Sequence, residues 1–374
     1  ALRPDDPRTL MTAAQLIARP QGKDDPAGRR QALALLAEAL GRRPDLADVR
    51  LAYARLLLAD GQRPAASAQF EQVLAQDARN LDAIYALGVL ALEERPPRER
   101  AREYFERYLR TLRASGSPLH DPDPAFLNLA RIAEDERRFD EALEWLERVD
   151  GDAQRFNARL RRAVVLAKME RVDEARRLLA EAAPGSDEQR RQVALAESQV
   201  LREARRFEES YQVLTAALER LPDDTALLYD AAMAAERLDR IDDMERLLRR
   251  MMALAPDDPH AYNALGYTFA DRNVRLDEAY QLIERALKLA PDDAHIIDSM
   301  GWVYFRMGNL PKARELLERA YALRPEAEIG AHLGEVLWAM GEREEARRIW
   351  RRVRADEPNN ETLVSTLARL QVRL

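Results

Sequence analysis

Four histidines, His120, His260, His295 and His332, are the side chains of this sequence best placed to take part in proton or metal chemistry near neutral pH. Two of them stand in equivalent settings, Asp257-Asp-Pro-His260 and Asp292-Asp-Ala-His295. Imidazole with carboxylate is a transition-metal ligand set, so a metal site spanning the two segments is one reading. The other, which we prefer, is that Pro-Asp-Asp is punctuation between helices and that each histidine merely opens a helix or meets a partner. The other carboxylates spread along helix faces, whereas a pair of catalytic acids needs burial and a cleft. There is no Walker A loop, GxGxxG, HExxH or GxSxG. Cysteine is absent, which removes disulfides, thiolate catalysis and Cys-based zinc sites together. We expect no catalytic residue, no metal and no cofactor: the chain reads as a binding protein, not an enzyme.

The 374 residues are 47% apolar and 33% charged, a balance that supports a folded, soluble chain. Aromatics are only 6%, and Ala, Leu, Arg and Glu form a helix-favouring alphabet. With 59 basic and 66 acidic residues mixed along the chain and a net charge of -7, no footprint for a nucleic-acid backbone exists. Lysine occurs only at 23, 168, 288 and 312, so the positive charge is nearly all arginine. Codon bias explains that; an arginine-studded face gripping carboxylates bidentately is the sharper alternative. No apolar run reaches membrane-span length, and Ala1-Leu2-Arg3-Pro4 shows no signal-peptide pattern. Lacking an initiator Met, the sequence reads as processed or trimmed, with any address before Ala1.

The elements that hold these side chains follow from a repeat. Small residues recur at Ala54, Gly88, Ala130, Ala163, Ser198, Ala232, Gly266, Gly301 and Gly334, 33 to 35 residues apart except for one gap of 42 after Gly88. A second ladder runs Ala32, Ala66, Ala101, Ala142, Ala175, Ser210, Met244, Ala279, Ala313 and Ala346. Two helices that cross at ~8–10 Å need a small side chain at the crossing, so each period reads as a helix pair. Proline closes several pairs (Pro291, Pro325, Pro358), and Asp-Asp doublets before the next helix (Asp223-Asp224, Asp257-Asp258, Asp292-Asp293) can cap its free N–H groups. The long gap places an insertion near 111–123, where Ala114-Ser-Gly-Ser-Pro118 and Asp121-Pro-Asp-Pro124 read as a loop.

Three segments carry a family likeness: Tyr262-Asn-Ala-Leu-Gly266-Tyr267-Thr-Phe269, Ile297-Asp-Ser-Met-Gly301-Trp302-Val-Tyr304 and Gly330-Ala-His-Leu-Gly334-Glu335-Val-Leu337. With a second-helix Ala and a closing Pro they resemble the tetratricopeptide-repeat family. That resemblance implies an all-α, right-handed superhelical solenoid of helix-turn-helix units. Its organisation would be a degenerate helical pair over 1–46, nine units over 47–360 starting near 47, 81, 123, 156, 191, 225, 259, 294 and 327, and a capping helix over 361–374. Met244, Ser198 and Ser210 depart from the pattern without breaking its frame.

In this family the first helix of each unit lines the inner face. Carried over by position, partner contacts fall on Tyr229, Asn263, Tyr267, Asp298, Trp302, Phe305, Arg306, His332, Glu335 and Trp338. Aromatics and Arg usually carry interface energy; the competing reading of this cluster is packing between first helices. Trp145 and Trp350 fall on second helices, at positions that pack between units. On the preferred reading Trp302→Ala weakens partner binding and leaves melting nearly intact.

The segments Asp292–Trp302, Phe305–Asn309 and His332–Trp338 further resemble proteobacterial outer-membrane lipoproteins of the repeat family. This implies a non-catalytic adaptor in the periplasm that binds a carboxy-terminal processing protease and presents cell-wall hydrolases to it. Any membrane attachment would be through a lipid anchor that this chain lacks. The alternatives are a cytoplasmic assembly scaffold for envelope or polysaccharide machinery, and the targeting region of a larger enzyme.

Overall fold

The computed structural model describes residues 6–17, 25–93 and 98–374. Ala1–Pro4, Lys23 and most of the Pro20–Pro26 loop lie outside the described residues. Among those described, every regular element is helical. The chain divides into two compact units, Ala1–Ala183 and Pro184–Leu374.

The first unit holds α1 (Pro7–Ile17), α2 (Pro26–Arg42), α3 (Ala47–Ala59), α4 (Arg63–Gln76), α5 (Leu81–Ala91), α6 (Glu99–Ser115), α7 (Asp123–Asp135), α8 (Phe139–Glu147), α9 (Asp152–Lys168) and α10 (Val172–Ala180). The second holds α11 (Asp187–Glu203), α12 (Phe207–Arg220), α13 (Thr225–Arg237), α14 (Ile241–Leu254), α15 (Pro259–Asp271), α16 (Leu276–Leu289), α17 (Ala294–Arg306), α18 (Leu310–Leu323), α19 (Ala327–Ala339), α20 (Arg343–Asp356) and α21 (Glu361–Arg369). Within each unit a helix packs on its hairpin partner and the pair packs on the next, as α15 does on α16 and α16 on α17.

The small-residue ladders mark the crossings. A Cβ added at Gly266 would come within 2.6 Å of Ile283 Cγ1, and one at Gly301 within 2.7 Å of Leu317 Cγ. The facing alanines, Ala279 and Ala313, are fully buried. The two serine departures compensate one another: Ser198 Oγ and Ser210 Oγ sit 2.9 Å apart across the α11–α12 crossing, each satisfying the other in a buried position. Trp350 packs inside its own pair, against Gly334, with its indole N–H donated to the Ala331 carbonyl at 3.1 Å. That corrects the placement between units: the glycine opposite leaves a slot only within the pair.

Punctuation works as the residue types suggest. Asp224, Asp258 and Asp293 accept hydrogen bonds from the first N–H groups of α13, α15 and α17. The preceding aspartates face outward instead, to Arg250, Arg285 and Arg319. The second helices end two residues before proline, α14 at Leu254 and α16 at Leu289, because the residue preceding a proline is disfavoured in helical geometry.

Two expectations need correction. The α9 and α11 helices begin at Asp152 and Asp187, four residues before the frame placed them. Ser186 accepts the Gln189 N–H and caps the extra turn of α11, while buried Asp123 accepts the Gly151 N–H at 2.7 Å and holds the residue that precedes α9. The insertion is likewise not one loop over 111–123. Thr111 to Ser115 continue α6, which runs for 17 residues until Gly116 terminates it at φ 60°. The connection after α6, residues 116–122, is lengthened too. Leu112 on the buried stripe of α6 keeps the extra turn folded, and Gly116 is free to adopt the left-handed cap.

Candidate functional site

In the second unit, the first helices α13, α15, α17 and α19 bring residues spaced three or four apart to one side. Asn263, Tyr267 and Asp271 come from α15, Asp298 and Trp302 from α17, Glu328, His332 and Glu335 from α19, and Tyr229 with Glu236 from α13. A pocket of about 400 Å³ opens among them, lined by Tyr229, Asn263, Tyr267, Asp271, Asp298 and Glu328 and by Glu361 at the start of α21.

Four of the ten expected contact residues face this pocket: Tyr229, Asn263, Tyr267 and Asp298. Tyr229 and Tyr267 are half-buried, and burial pushes both phenols above their ordinary pKa, so both remain neutral donors. Tyr267 places its hydroxyl 3.4 Å from His332 Nε2 and 3.5 Å from Glu328. Asn263 Oδ1 is buried without a hydrogen-bond partner.

Of the other six, Trp302, His332 and Glu335 are taken up by packing, and Phe305, Arg306 and Trp338 are half-exposed outside the pocket. Trp302 is 4% exposed and His332 1%, with their rings stacked at 4.3 Å and 23°. Phe305 also packs on Trp302, ring centroids 4.9 Å apart. Asp298 is buried beneath, 3.0 Å from His332 Nδ1. Burial opposes charge on the imidazole, but the charge of Asp298 and its hydrogen bond outweigh that and raise the pKa. Glu335, 3% exposed, accepts hydrogen bonds from Arg369 at 2.6 Å and Thr366 at 3.2 Å on α21. Arg306 donates to the Ala270 and Asp271 carbonyls, capping the C-terminus of α15. Trp338 lies apart, 5.7 Å from Trp350 and flanked by the guanidiniums of Arg343 and Arg347. Trp302, His332 and Glu335 are therefore interior residues: neighbouring first helices come close enough for the large side chain of one to be covered by the next.

The pocket's charge was not foreseen. Glu236, Asp271 and Glu328 line it with no salt-bridge partner among the described residues, against Arg237 and His295 in the same lining, and Glu361 is held by Arg205 and Arg237 at 3.2 Å each. The signal was available as helical spacing, since Asp271 lies four residues after Tyr267 and Glu328 four before His332. The acidic lining favours a basic or N–H-rich ligand. Among the described residues no group of three or more His, Asp or Glu gathers closely enough to hold a metal ion, and no helix is long and apolar enough to cross a membrane.

Models of the tetratricopeptide repeat match residues 29–92, 274–329 and 305–370, with further models of the same repeat at 241–294 and 125–149. A relative from Pseudomonas aeruginosa, TPR repeat-containing protein PA4667, is 37% identical over 213 residues. That stretch is 57% of this chain and 36% of the relative, so the chain spans about a third of that protein's length. Among solved structures, yeast Tom70 superposes with a TM-score of 0.54 at 16% identity, covering 97% of this chain and 88% of that one. A tetratricopeptide repeat protein from Parabacteroides merdae gives 0.51 at 15% identity, over 66% of this chain and 97% of that one. At such identities the likeness is one of fold.

Proposed function

The chain belongs to the tetratricopeptide-repeat family, and from that premise we propose that it is a non-catalytic scaffold whose second unit receives a basic or N–H-rich segment of a partner protein. The pocket between α13, α15, α17 and α19, lined by Glu236, Asp271 and Glu328, carries this reading. A scaffold acts by raising the effective concentration of one bound protein near another and needs no chemistry of its own.

The finer reading is a periplasmic adaptor, held at the outer membrane by a lipid on the full-length protein. Its partner would be a carboxy-terminal processing protease, to which it presents cell-wall hydrolases. The resemblance of the C-terminal segments to the pseudomonad lipoprotein adaptor LbcA, partner of the protease CtpA, supports it.

The test is capture of a purified carboxy-terminal processing protease by the immobilised chain, compared with the pocket variant D271K/E328K. Wild type should retain the protease, and the variant, with unchanged melting, should retain at least about tenfold less. No retention by the wild-type chain would dismiss the adaptor reading. Equal retention by both would dismiss the pocket as the contact.

A further inference from the structure

The lengthened α6 and the connection after it build a second recess, in the first unit. A cavity of about 660 Å³ lies between the end of α6, residues 116–122, α7 and α8. Its apolar wall is Phe126 and Trp145, stacked with centroids 6.0 Å apart at 23°. Its rim is cationic. Arg148 lies over the Trp145 ring at 4.5 Å, and neither Arg148 nor Arg113 has a carboxylate in salt-bridge reach among the described residues. Arg110 leans on Glu106 at 3.4 Å, the acidic residue of the lining. His120 is oriented by Ser117, Nδ1 to Oγ at 2.9 Å. Between those two lining residues Leu119 stands 89% exposed.

We propose that this recess is a second docking site, for an acidic partner segment carrying a bulky apolar side chain. The inference rests on the reading of the chain as a protein-binding scaffold. The occupant follows from charge: two unneutralised guanidiniums in a chain of net charge -7 call for an anion. The stacked aromatic wall calls for an apolar or aromatic side chain beside it. A peptide fits better than a small molecule because Leu119, exposed beside the lining residue His120, offers an apolar contact outside the cavity. The site is made by α6, α8 and an irregular connection, so it is separate from the acidic pocket and selects the opposite charge. Two sites of opposite sign let one scaffold hold two different partners, or two segments of one, without competition.

The probe is a fluorescein-labelled Ser-Gly-Asp-Glu-Phe-Asp-Gly-Ser peptide, titrated by anisotropy against the full chain at low salt, with a counterpart in which the three acids are Lys. The acidic peptide should bind, and binding should weaken with salt. The lysine peptide should bind at least about tenfold more weakly, and R113E/R148E, both exposed positions, should lose about tenfold or more for the acidic one. W145A should weaken it as well, with circular dichroism reporting whether that variant folds. Equal binding of the two peptides, or a change below about twofold in R113E/R148E, overturns the proposal. So does saturation by phenylacetate with no peptide binding, which would make this a small-molecule site. If wild type retains the protease in the preceding experiment while these peptide results fail, the scaffold reading stands without this site. If the peptide results hold and no protease is retained, the docking site stands and the adaptor reading falls.

Discussion

The Nδ1 atom of His332 lies 3.0 Å from Oδ2 of Asp298, joining α19 to α17 where both side chains are buried. Glu328 and Glu335 also face the imidazole, and Tyr267 meets its Nε2. The folded-state pKa of His332 lies above the ordinary histidine value, as Asp298 outweighs burial. The unfolded chain titrates near ~6.5. The folded state therefore holds more protons above that pH. The stability this pair contributes is complete below the unfolded value and is lost as pH rises through the folded one. Urea unfolding near about pH 6 and about pH 9 should show a larger loss for wild type than for H332Q; matching losses would rule out His332 as the titrating group.

Trp302 is an interior residue, so its replacement should register as lost stability first. Trp302→Ala removes an indole stacked on His332 and in contact with Phe305 and should cost about 3–5 kcal/mol. The indole N–H has no partner, so Trp302→Phe sheds an unmet donor while keeping most of the apolar contact, and should cost much less. Denaturant melts of the two variants decide it. An unchanged midpoint in W302A would return Trp302 to the binding face.

The array of helix pairs was legible because its cause is periodic: a crossing demands a small residue, and Gly266, Gly301 and Gly334 announce three crossings by type alone. The burial of Trp302 was not legible. Its position says which helix face it occupies, whereas its cover comes from His332, thirty residues on, and depends on how tightly α17 and α19 approach. The Ser198–Ser210 bond was hidden for the same reason. Each serine looks like a defect in its own ladder, and only the pairing across the crossing makes them one feature. The lengthened α6 was misplaced because Ser115, Gly116 and Ser117 signal a break that the buried Leu112 stripe postpones to Gly116.

Glycines of two kinds should answer a methyl group in opposite ways. A Cβ at Gly334 would enter the indole ring of Trp350, which is fully buried and pinned by its bond to Ala331. Gly334→Ala should lose about 1–3 kcal/mol through overpacking. Gly41 in α2 has no neighbouring atom within 4 Å of an added Cβ. Gly41→Ala should gain about 0.5–1 kcal/mol by restricting the unfolded chain. Thermal melts of the pair test the crossing geometry directly, and a Gly334→Ala protein as stable as wild type would refute it.

The C-terminal helix α21 is fastened to the second unit by a buried charge. Glu335 sits inside the structure and depends on Arg369 and Thr366 for its hydrogen bonds. Arg369 is itself about half exposed, so water moderates the pair, and Arg369→Ala should cost about 1–3 kcal/mol, less than a fully buried pair. The loss should be local before it is global, because α21 is short and packs mainly on α19. Amide exchange over 361–369 should quicken in R369A while α15 and α16 keep their protection. The double variant R369A/E335Q, which removes the stranded charge along with its partner, should recover part of that protection. Uniform quickening across the whole second unit would mean instead that α21 and the helix pairs open as one cooperative body.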